Sequence, residues 1–394
     1  MKKRPPSAPP PAPRGAAVVV PTPQPMQAPP TEDERLMDAA LSHAKNGRPS
    51  PNPHVGAILV KDGEIIAGAH HERAGADHAE VAAIRAAGDV AKGATLYVTL
   101  EPCNHHGRTP PCTEAIVKAN IKRVVIGCRD PNPHVEGRGV EKLLAAGVEV
   151  AVGVREAQAQ KMIAPWQKHI TTGMPYVSLK LALSLDGRIA TRSGASKWVT
   201  GPDARAKVHL LRARSDAVAI GIGTGLADDP RLTVRDAPGG SPLRIVFDTK
   251  LRLPPAARLV QSAREIPTWI LCGTDAPQKE EEDLVALGCE VIRGPQSTEG
   301  RLDVASALHT LAARGIVALM VEGGAELAGS FLASRFADEL HCFIAPILLG
   351  PRGRPGAVDW AGPDTPQQAP RIASPMWELV GEDAYAHGQI VYPE

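Results

Sequence analysis

Three short fragments carry residue types that could do chemistry together: His78-Ala79-Glu80, Pro102-Cys103 and Pro111-Cys112. One imidazole and two thiolates offer a nitrogen and two sulfur ligands to a single zinc ion. A structural zinc uses four protein ligands, whereas a catalytic zinc keeps three and leaves a position for water. Zinc lowers the pKa of that water from about 16 towards 7, which makes hydroxide available at neutral pH. Glu80 stands two residues beyond His78 at an expected helix start, close to the metal without having to ligate it. A carboxylate there can take the water proton and hand it to an acceptor on the substrate. The eight residues Asn104–Pro111 separate the cysteines, so both reach one ion only if this insert loops out. The insert is polar, basic and glycine-bearing, as a substrate-contacting loop would be. Each fragment alone would read as an unrelated structural cysteine or a chance triplet; the chemical reading rests on all three together, in order, at strand–helix junctions.

The elements that must position these residues follow from the surrounding pattern. Thr31-Glu32-Asp33-Glu34 is a capping box, and a helix follows through Leu36, Ala40 and Leu41 to about Gly47. Val55–Lys61 and Glu64–Ala69 flank Asp62-Gly63, a hairpin signal. Then come a helix over about His78–Ala87, a strand at Ala94–Leu100, a helix from about Cys112, a strand at Arg123–Gly127, a helix at Gly137–Ala146 and a strand at Val148–Ala151. Strands alternating with helices predict a layered α/β domain. Residues 153–174 read as connecting material. A second alternating series predicts strands at Tyr176–Leu183, Ala217–Gly221, Arg244–Asp248, Thr268–Cys272, Glu290–Arg293, Val317–Glu322 and Glu339–Ala345. Helices are expected near Asp203–Arg214, Glu280–Leu287, Val304–Arg314 and Ala325–Ser334. The organisation expected is therefore a Pro/Ala-rich disordered tail over 1–30, a first domain over 31–152, a connector over 153–174 and a second domain over 175–394.

Composition narrows the function classes. The 394 residues are 43% hydrophobic but only 3% aromatic, so Ala, Val, Leu and Ile must do the packing. Lys and Arg total 44 against 43 Asp and Glu, a net charge of +1. Neither nucleic acid nor a membrane surface is an expected partner on that balance. Cys128, Cys272, Cys289 and Cys342 sit in apolar strand-like segments and read as small buried hydrophobes in a reducing compartment. No apolar run reaches the roughly 18 residues of a membrane span. Ala16–Val20, broken by Pro21, is too short for a secretory segment, so the expected location is the cytoplasm.

The zinc fragments match the His-x-Glu…Pro-Cys-x-x-Cys signature of zinc deaminases, in which the glutamate moves the proton and ammonia leaves, except for the longer cysteine spacing. Asn52-Pro53-His54-Val55-Gly56, His78-Ala79-Glu80 and the run from Pro102 to Cys112 resemble the deaminase half of the bifunctional riboflavin-biosynthesis deaminase–reductases. The His-His-Gly-Arg-Thr-Pro-Pro insert is the discriminating part, because cytidine, dCMP and tRNA-adenosine deaminases share the zinc fragments but not that loop. The resemblance continues through Asp130-Pro131-Asn132-Pro133 and covers roughly residues 32 to 394. It implies a cytidine-deaminase-like three-layer α/β/α domain with His78, Cys103 and Cys112 on zinc and Glu80 as the catalytic acid–base. It also implies that Asn52, His71, His105, Arg108 and Asn132 line the pyrimidine and phosphate pocket. A surface hairpin histidine is the competing reading of His71. Asn104 replaces the small residue expected there.

The second half has weaker physical signals. Val321-Glu322-Gly323-Gly324-Ala325 ends a strand and opens a helix, where backbone N–H groups can approach phosphate. Gly221-Ile222-Gly223-Thr224-Gly225 is another glycine-rich strand end, and such loops suit a dinucleotide pocket. Lys180–Arg188, Ser196-Lys197-Trp198, Leu211-Arg212, Gly223–Arg235, Phe247-Asp248-Thr249 and Glu322-Gly323-Gly324 resemble the reductase half of the same family. The resemblance implies a dihydrofolate-reductase-like α/β fold and NADPH as hydride donor. It places Ala182, Trp198, Thr224, Asp228, Thr249 and the run Gly324, Ala325, Glu326, Leu327, Ala328, Gly329 and Ser330 against NADPH. Ser196, Arg212, Leu232, Arg235 and Glu322 would contact the ribose-phosphate substrate, and Lys180 would lie near the sugar as a catalytic residue. Solvated charges are the competing reading of the arginines, and core packing that of Trp198. Lys161–Trp166 lacks the Asn-x-x-Phe pattern expected before the second domain.

The function implied is a two-step enzyme: zinc-dependent deamination of a phosphoribosylaminopyrimidine, then NADPH reduction of its ribosyl chain to ribityl. The family also implies a homo-oligomer, a dimer or tetramer. Two other classes stay open. A nucleic-acid deaminase would need a basic or stacking surface. A structural zinc domain joined to a nucleotide sensor would need a fourth protein ligand, for which His105 is available.

Overall fold

The computed structural model describes residues 29–106, 110–132, 138–235, 237–350 and 356–393. The expectation of a disordered tail and the expected substrate contact Arg108 lie outside these residues, apart from positions 29 and 30.

The first unit opens with α1 (Glu32–Ala44), closed by the expected capping box: Thr31 N–H donates to Glu34 Oε2 at 2.8 Å and Glu34 N–H to Thr31 Oγ1 at 3.3 Å. β1 (Gly56–Lys61) and β2 (Glu64–His70) form the hairpin about Asp62-Gly63. Both turn residues have positive φ, 52° and 82°, which matches the right-handed twist of the strands. There follow α2 (Ala79–Ala87), β3 (Thr95–Leu100), α3 (Cys112–Lys118), β4 (Arg123–Cys128), α4 (Arg138–Ala145) and β5 (Glu149–Val152). The five strands make one sheet in the order β2-β1-β3-β4-β5, antiparallel across β2-β1-β3 and parallel across β3-β4-β5. The central strands are almost wholly buried, as a sheet covered on both faces requires.

Residues 153–174 are not merely connecting chain. They hold α5 (Glu156–Thr172), ended by Gly173 at φ 69°. Ala159, Ile163 and Trp166 come up at helical spacing and are buried in the first core, with α5 lying against β4 and α1. Gly127 of β4 accommodates the close approach, since a β-carbon there would meet the Ala159 methyl at 2.9 Å. The low hydrophobicity of the segment and Pro165 within it conceal the pattern in the sequence.

The second unit comprises β6 (Tyr176–Ser184), α6 (Pro202–Ala213), β7 (Ala217–Gly221), α7 (Ile222–Asp228), β8 (Leu243–Phe247), α8 (Arg258–Gln261), β9 (Thr268–Gly273), α9 (Gln278–Ala286), β10 (Glu290–Gly294), α10 (Val304–Ala313), β11 (Ala318–Glu322), α11 (Ala325–Ala333), β12 (Glu339–Ala345), β13 (Arg371–Val380) and β14 (Asp383–Val391). The sheet order is β10-β9-β8-β7-β11-β6-β12-β14-β13, parallel from β10 to β12 and antiparallel at the β14-β13 edge. Successive strands run outward from β7 to β10, and the chain then returns to insert β11 between β7 and β6. In open α/β sheets such a reversal of strand order is where a ligand crevice forms, which here points to the carboxyl ends of β7, β11 and β6. Two features depart from the sequence reading. The glycine-rich stretch after β7 is the helix α7, and the C-terminal hairpin of β13 and β14 was not anticipated, because β13 is exposed along most of its length and lacks alternation.

The units touch through specific groups. Arg48 Nη2 donates to Ala213 O at 3.0 Å and to Gly240 O, Lys168 Nζ donates to Asp338 Oδ2 at 2.5 Å, and Val317 joins the first core. All six cysteines are free, with Cys128, Cys272 and Cys289 buried and Cys342 half-buried. Among the described residues no helix is long and apolar enough to cross a membrane.

Ile163 is 1% exposed. Ile163→Ala is expected to lower stability by about 2–5 kcal/mol in urea denaturation, the cost of a cavity in a packed core, whereas a substitution in a mere connector would cost almost nothing.

Candidate active sites

Two helix N-termini and one strand end build the first site. His78 is the N-cap of α2, and its imidazole makes no capping bond to the helix. Glu80 falls in the first turn and is 3% exposed. Cys103 follows the end of β3, while Cys112 begins α3 directly after Pro111. His78 Nδ1 lies 3.2 Å from Cys112 Sγ and 3.6 Å from Cys103 Sγ, and the Cys112 N–H donates to Cys103 Sγ at 3.4 Å. The three donor atoms all lie within 4.8 Å of one another. Both sulfurs therefore reach one place, as a shared ion requires; residues 107–109 of the insert between them lie outside the described residues.

The electrostatics of this pocket fit a metal. Hydrogen bonds from Cys112 and His78 hold the Cys103 thiol down at about 4, whereas Cys112, donating to Cys103 and buried, is pushed far up. The hydrogen bond between the two sulfurs pushes their affinities for a proton in opposite directions. The Cys103 sulfur in turn raises His78, and burial raises Glu80 against the pull of His78. A soft nitrogen–sulfur donor set of this size, with a carboxyl beside it and helix N-termini facing it, suits zinc.

The surrounding residues are partly assembled. His71 is 3% exposed, not a surface histidine, and its ring lies 5.2 Å from His78. Its Nδ1 donates to the Asp77 carbonyl at 2.9 Å, so its Nε2 accepts from Asn52 Nδ2 at 2.9 Å and orients that amide. Burial keeps the imidazole neutral by lowering its pKa. His105 is exposed just beyond Cys103, and Asn132 follows β4, the strand beside β3. Asn132 N–H donates to Asp130 Oδ1 at 2.8 Å. The sequence reading missed Glu101, which is buried and accepts from the N–H groups of Asp130 at 3.3 Å and Val140 at 3.0 Å, pinning the loop that carries Asn132. A charged residue closing the apolar strand β3 was the available signal.

The second site lies at the crevice. Register pairs Glu322 of β11 with Lys180 of β6, so both side chains share one face. Arg212 grips Glu322 with Nε and with Nη2, the latter at 2.7 Å, and donates to Thr233 O at 3.0 Å through Nη1. Burial opposes the Glu322 charge, but Arg212 and Lys180 outweigh it and hold the carboxyl low. Burial depresses the Lys180 ammonium, with Glu322 opposing. Ser196 Oγ donates to Asp228 Oδ1 at 2.6 Å and Lys197 Nζ to Asp228 O at 2.6 Å. Trp198 is 67% exposed rather than core, with the Arg205 guanidinium 4.6 Å over its ring. Gly323 and Gly324 turn from β11 into α11 at φ 75° and 83°, and a β-carbon on Gly324 would stand 3.2 Å from Thr224 Oγ1. Ala182 is half-buried on β6, and Thr249 accepts from the Gly273 N–H at 2.9 Å.

Other expected contacts are placed differently. Ala325, Leu327 and Ala328 are buried on the inner face of α11, and Gly329 packs where a β-carbon would meet Asp359 O at 1.9 Å. Glu326 is exposed and Ser330 half-buried. Leu232 is a core residue, 3% exposed at φ 52°. Arg235 is exposed and donates to Thr233 Oγ1 at 2.7 Å.

A three-layer α/β/α domain with a His-Cys-Cys donor set, followed by a dihydrofolate-reductase-like sheet with a glycine-lined crevice, defines a zinc deaminase joined to an NADPH-dependent reductase. Residues 30–128 match the cytidine and deoxycytidylate deaminase zinc-binding region, and residues 175–386 match the RibD C-terminal domain. The riboflavin biosynthesis protein RibD of Escherichia coli K12 is 42% identical over 371 residues, covering 90% of this chain and 99% of its own. That of Aquifex aeolicus is 45% identical over 321 residues, covering 81% and 88%. Among solved structures, Acinetobacter baumannii RibD, form 2, superposes with a TM-score of 0.78 at 38% identity, covering 91% of this chain and 99% of that one. A Thermotoga maritima diaminohydroxyphosphoribosylaminopyrimidine deaminase/5-amino-6-(5-phosphoribosylamino)uracil reductase does so with a TM-score of 0.79 at 36% identity, covering 91% and 99%. The chain belongs to the RibD family of riboflavin biosynthesis proteins.

Zinc takes up sulfur as thiolate, so filling the first site must expel the proton on Cys112 and any proton on His78. Zinc uptake by metal-free protein is therefore expected to release protons near neutral pH, and affinity to fall as pH falls. Titration calorimetry in buffers of different ionisation enthalpy checks both; proton-neutral binding would contradict the site.

Proposed function

We propose that the chain catalyses two consecutive steps on one small molecule: hydrolytic deamination of 2,5-diamino-6-(5-phosphoribosylamino)pyrimidin-4-one, then reduction of the ribosyl chain to give 5-amino-6-(5-phosphoribitylamino)uracil. The observation that carries this reading is a buried carboxyl, Glu80, beside a His-Cys-Cys donor set in the same chain as a Lys180–Glu322–Arg212 crevice.

His78, Cys103 and Cys112 hold zinc, which when bound activates water as a nucleophile. Glu80 takes a proton from the attacking water and delivers protons to the ring nitrogen and to the departing ammonia. Burial raises its pKa, which suits a group that must both accept and donate. Asn52, oriented by neutral His71, reads an amide edge of the pyrimidine; Asn132 and His105 reach the substrate from the neighbouring strand ends, with Arg108 on its phosphate.

In the second site NADPH supplies the hydride when bound. The N–H groups at Gly324 and Ala325, with Thr224, Asp228, Thr249 and Trp198, receive the cofactor. Lys180 lies beside the sugar, while Arg235 offers an exposed cation to the phosphate. Arg212 acts chiefly by fixing Glu322, because its guanidinium is already engaged by that carboxylate. Functional units of 31–172 for the deaminase, including α5, and 175–394 for the reductase fit this division. A cytoplasmic homo-oligomer is the expected form; Met376, Trp377 and Leu379 are exposed on the edge strand β13, as a surface shared by two copies would be.

Ammonia release from the diaminopyrimidine substrate is expected without NADPH in the wild type and to fall by about 10²- to 10⁴-fold in Glu80→Gln at unchanged zinc content. An unchanged rate would remove the deaminase assignment. Lys180→Met is expected to leave ammonia release intact and to slow NADPH oxidation on the deaminated product by about 10²-fold or more; normal NADPH consumption would dismiss Lys180 from that site.

A further inference from the structure

The reductase sheet carries a second group of metal-ligating side chains. Glu339 and His341 stand two residues apart on β12 and so project from one face. The antiparallel register sets His387 of β14 directly opposite His341, on that same face. One ligand atom from each of the three lies within 4.8 Å of the others. His341 Nε2 is 3.6 Å from Glu339 Oε2, close to the spacing of neighbouring ligands held at about 2.1 Å from a tetrahedral ion.

The environment prepares these groups for a cation. Tyr385 Oη lies 2.6 Å from His341 Nδ1, so the hydroxyl occupies one ring nitrogen and leaves Nε2 turned to Glu339. Ligating histidines are commonly oriented through their second nitrogen in this way. The His387 ring stacks 5.8 Å from that of His341 and 5.0 Å from that of Tyr385. Its Nδ1 is buried with no hydrogen-bond partner among the described residues. Burial opposes the Glu339 charge, but His341, then Lys161, keep the carboxyl ionised. Lys161 is the competing cation, 3.9 Å from Glu339, and its side chain is 58% exposed, so it can turn to solvent when another cation enters. Lys207 stands off over the Tyr385 ring at 4.4 Å.

We propose that Glu339, His341 and His387 bind a divalent transition-metal ion of the zinc class, at a site separate from the His78–Cys103–Cys112 site. Two imidazoles and a carboxylate suit such ions rather than the all-oxygen shells of magnesium or calcium. The ion ties β12 to β14 and so fastens the C-terminal hairpin to the sheet. The proposal stands independently of the reaction proposed above.

Zinc is the probe for stoichiometry and cobalt for ligand type. After equilibrium dialysis and metal analysis, the full chain is expected to hold two zinc ions. His387→Gln is expected to hold one, and its cobalt form to keep the thiolate-to-metal absorption of the first site, which also reports that the variant is folded. Cys103→Ser/Cys112→Ser is expected to hold one, with visible cobalt bands but no thiolate absorption, and to gain thermal stability from zinc that adding His387→Gln abolishes. A single zinc in the wild type, none in the cysteine double variant, or an unchanged count in His387→Gln would each overturn the proposal.

Discussion

Keeping a buried carboxyl and a buried thiol together with a half-buried imidazole and a second half-buried thiol is the constraint on which the first half of the chain depends. An unpaired buried charge costs several kcal/mol, and the group neutralises rather than bear it. Here the groups offset one another: the Cys103 thiol is lowered by its hydrogen bonds from Cys112 and His78, His78 is raised by Cys103, and burial raises Glu80. Such a cluster persists only where the scaffold supplies the free energy to hold it. The scaffold is the sheet with α1 and α5 on one face and α2, α3 and α4 on the other, whose central strands expose almost nothing.

The second half solves a similar problem by register. Strand β11, inserted between β7 and β6, brings Glu322 level with Lys180, and α6 sends Arg212 across to close the charge. Bidentate pairing fixes the guanidinium in a plane that a lysine could not reproduce. The same row of the sheet continues through His341 to His387, so a single line of cross-strand partners runs from the crevice to the C-terminal edge.

Much of this was legible in the sequence, for identifiable reasons. The zinc fragments sit at strand–helix junctions, and strand ends are where long alternation stops abruptly. Thr31–Glu34 and Asp62-Gly63 carry local chemistry that dictates a cap and a turn. What escaped depends on distant partners. Nothing local says that the Arg212 guanidinium is consumed by a carboxylate 110 residues on, or that Leu232 turns inward at a positive φ. Glu101 acts on loop amides that only the fold brings to it. Helix α5 was hidden by Pro165, and β13 by an exposed face without alternation.

Helix α5 also decides where the chain can be divided. Its middle residues fill the first core, while Lys168 near its end is tied to Asp338 in the second unit. A cut ahead of Glu156 would leave the deaminase half with an open apolar trough where Ala159, Ile163 and Trp166 had been. The same cut would burden the reductase half with a helix whose greasy side has nothing to rest on. The seam between the two catalysts therefore falls at Gly173, after the helix, and a free-standing version of either would have to respect it.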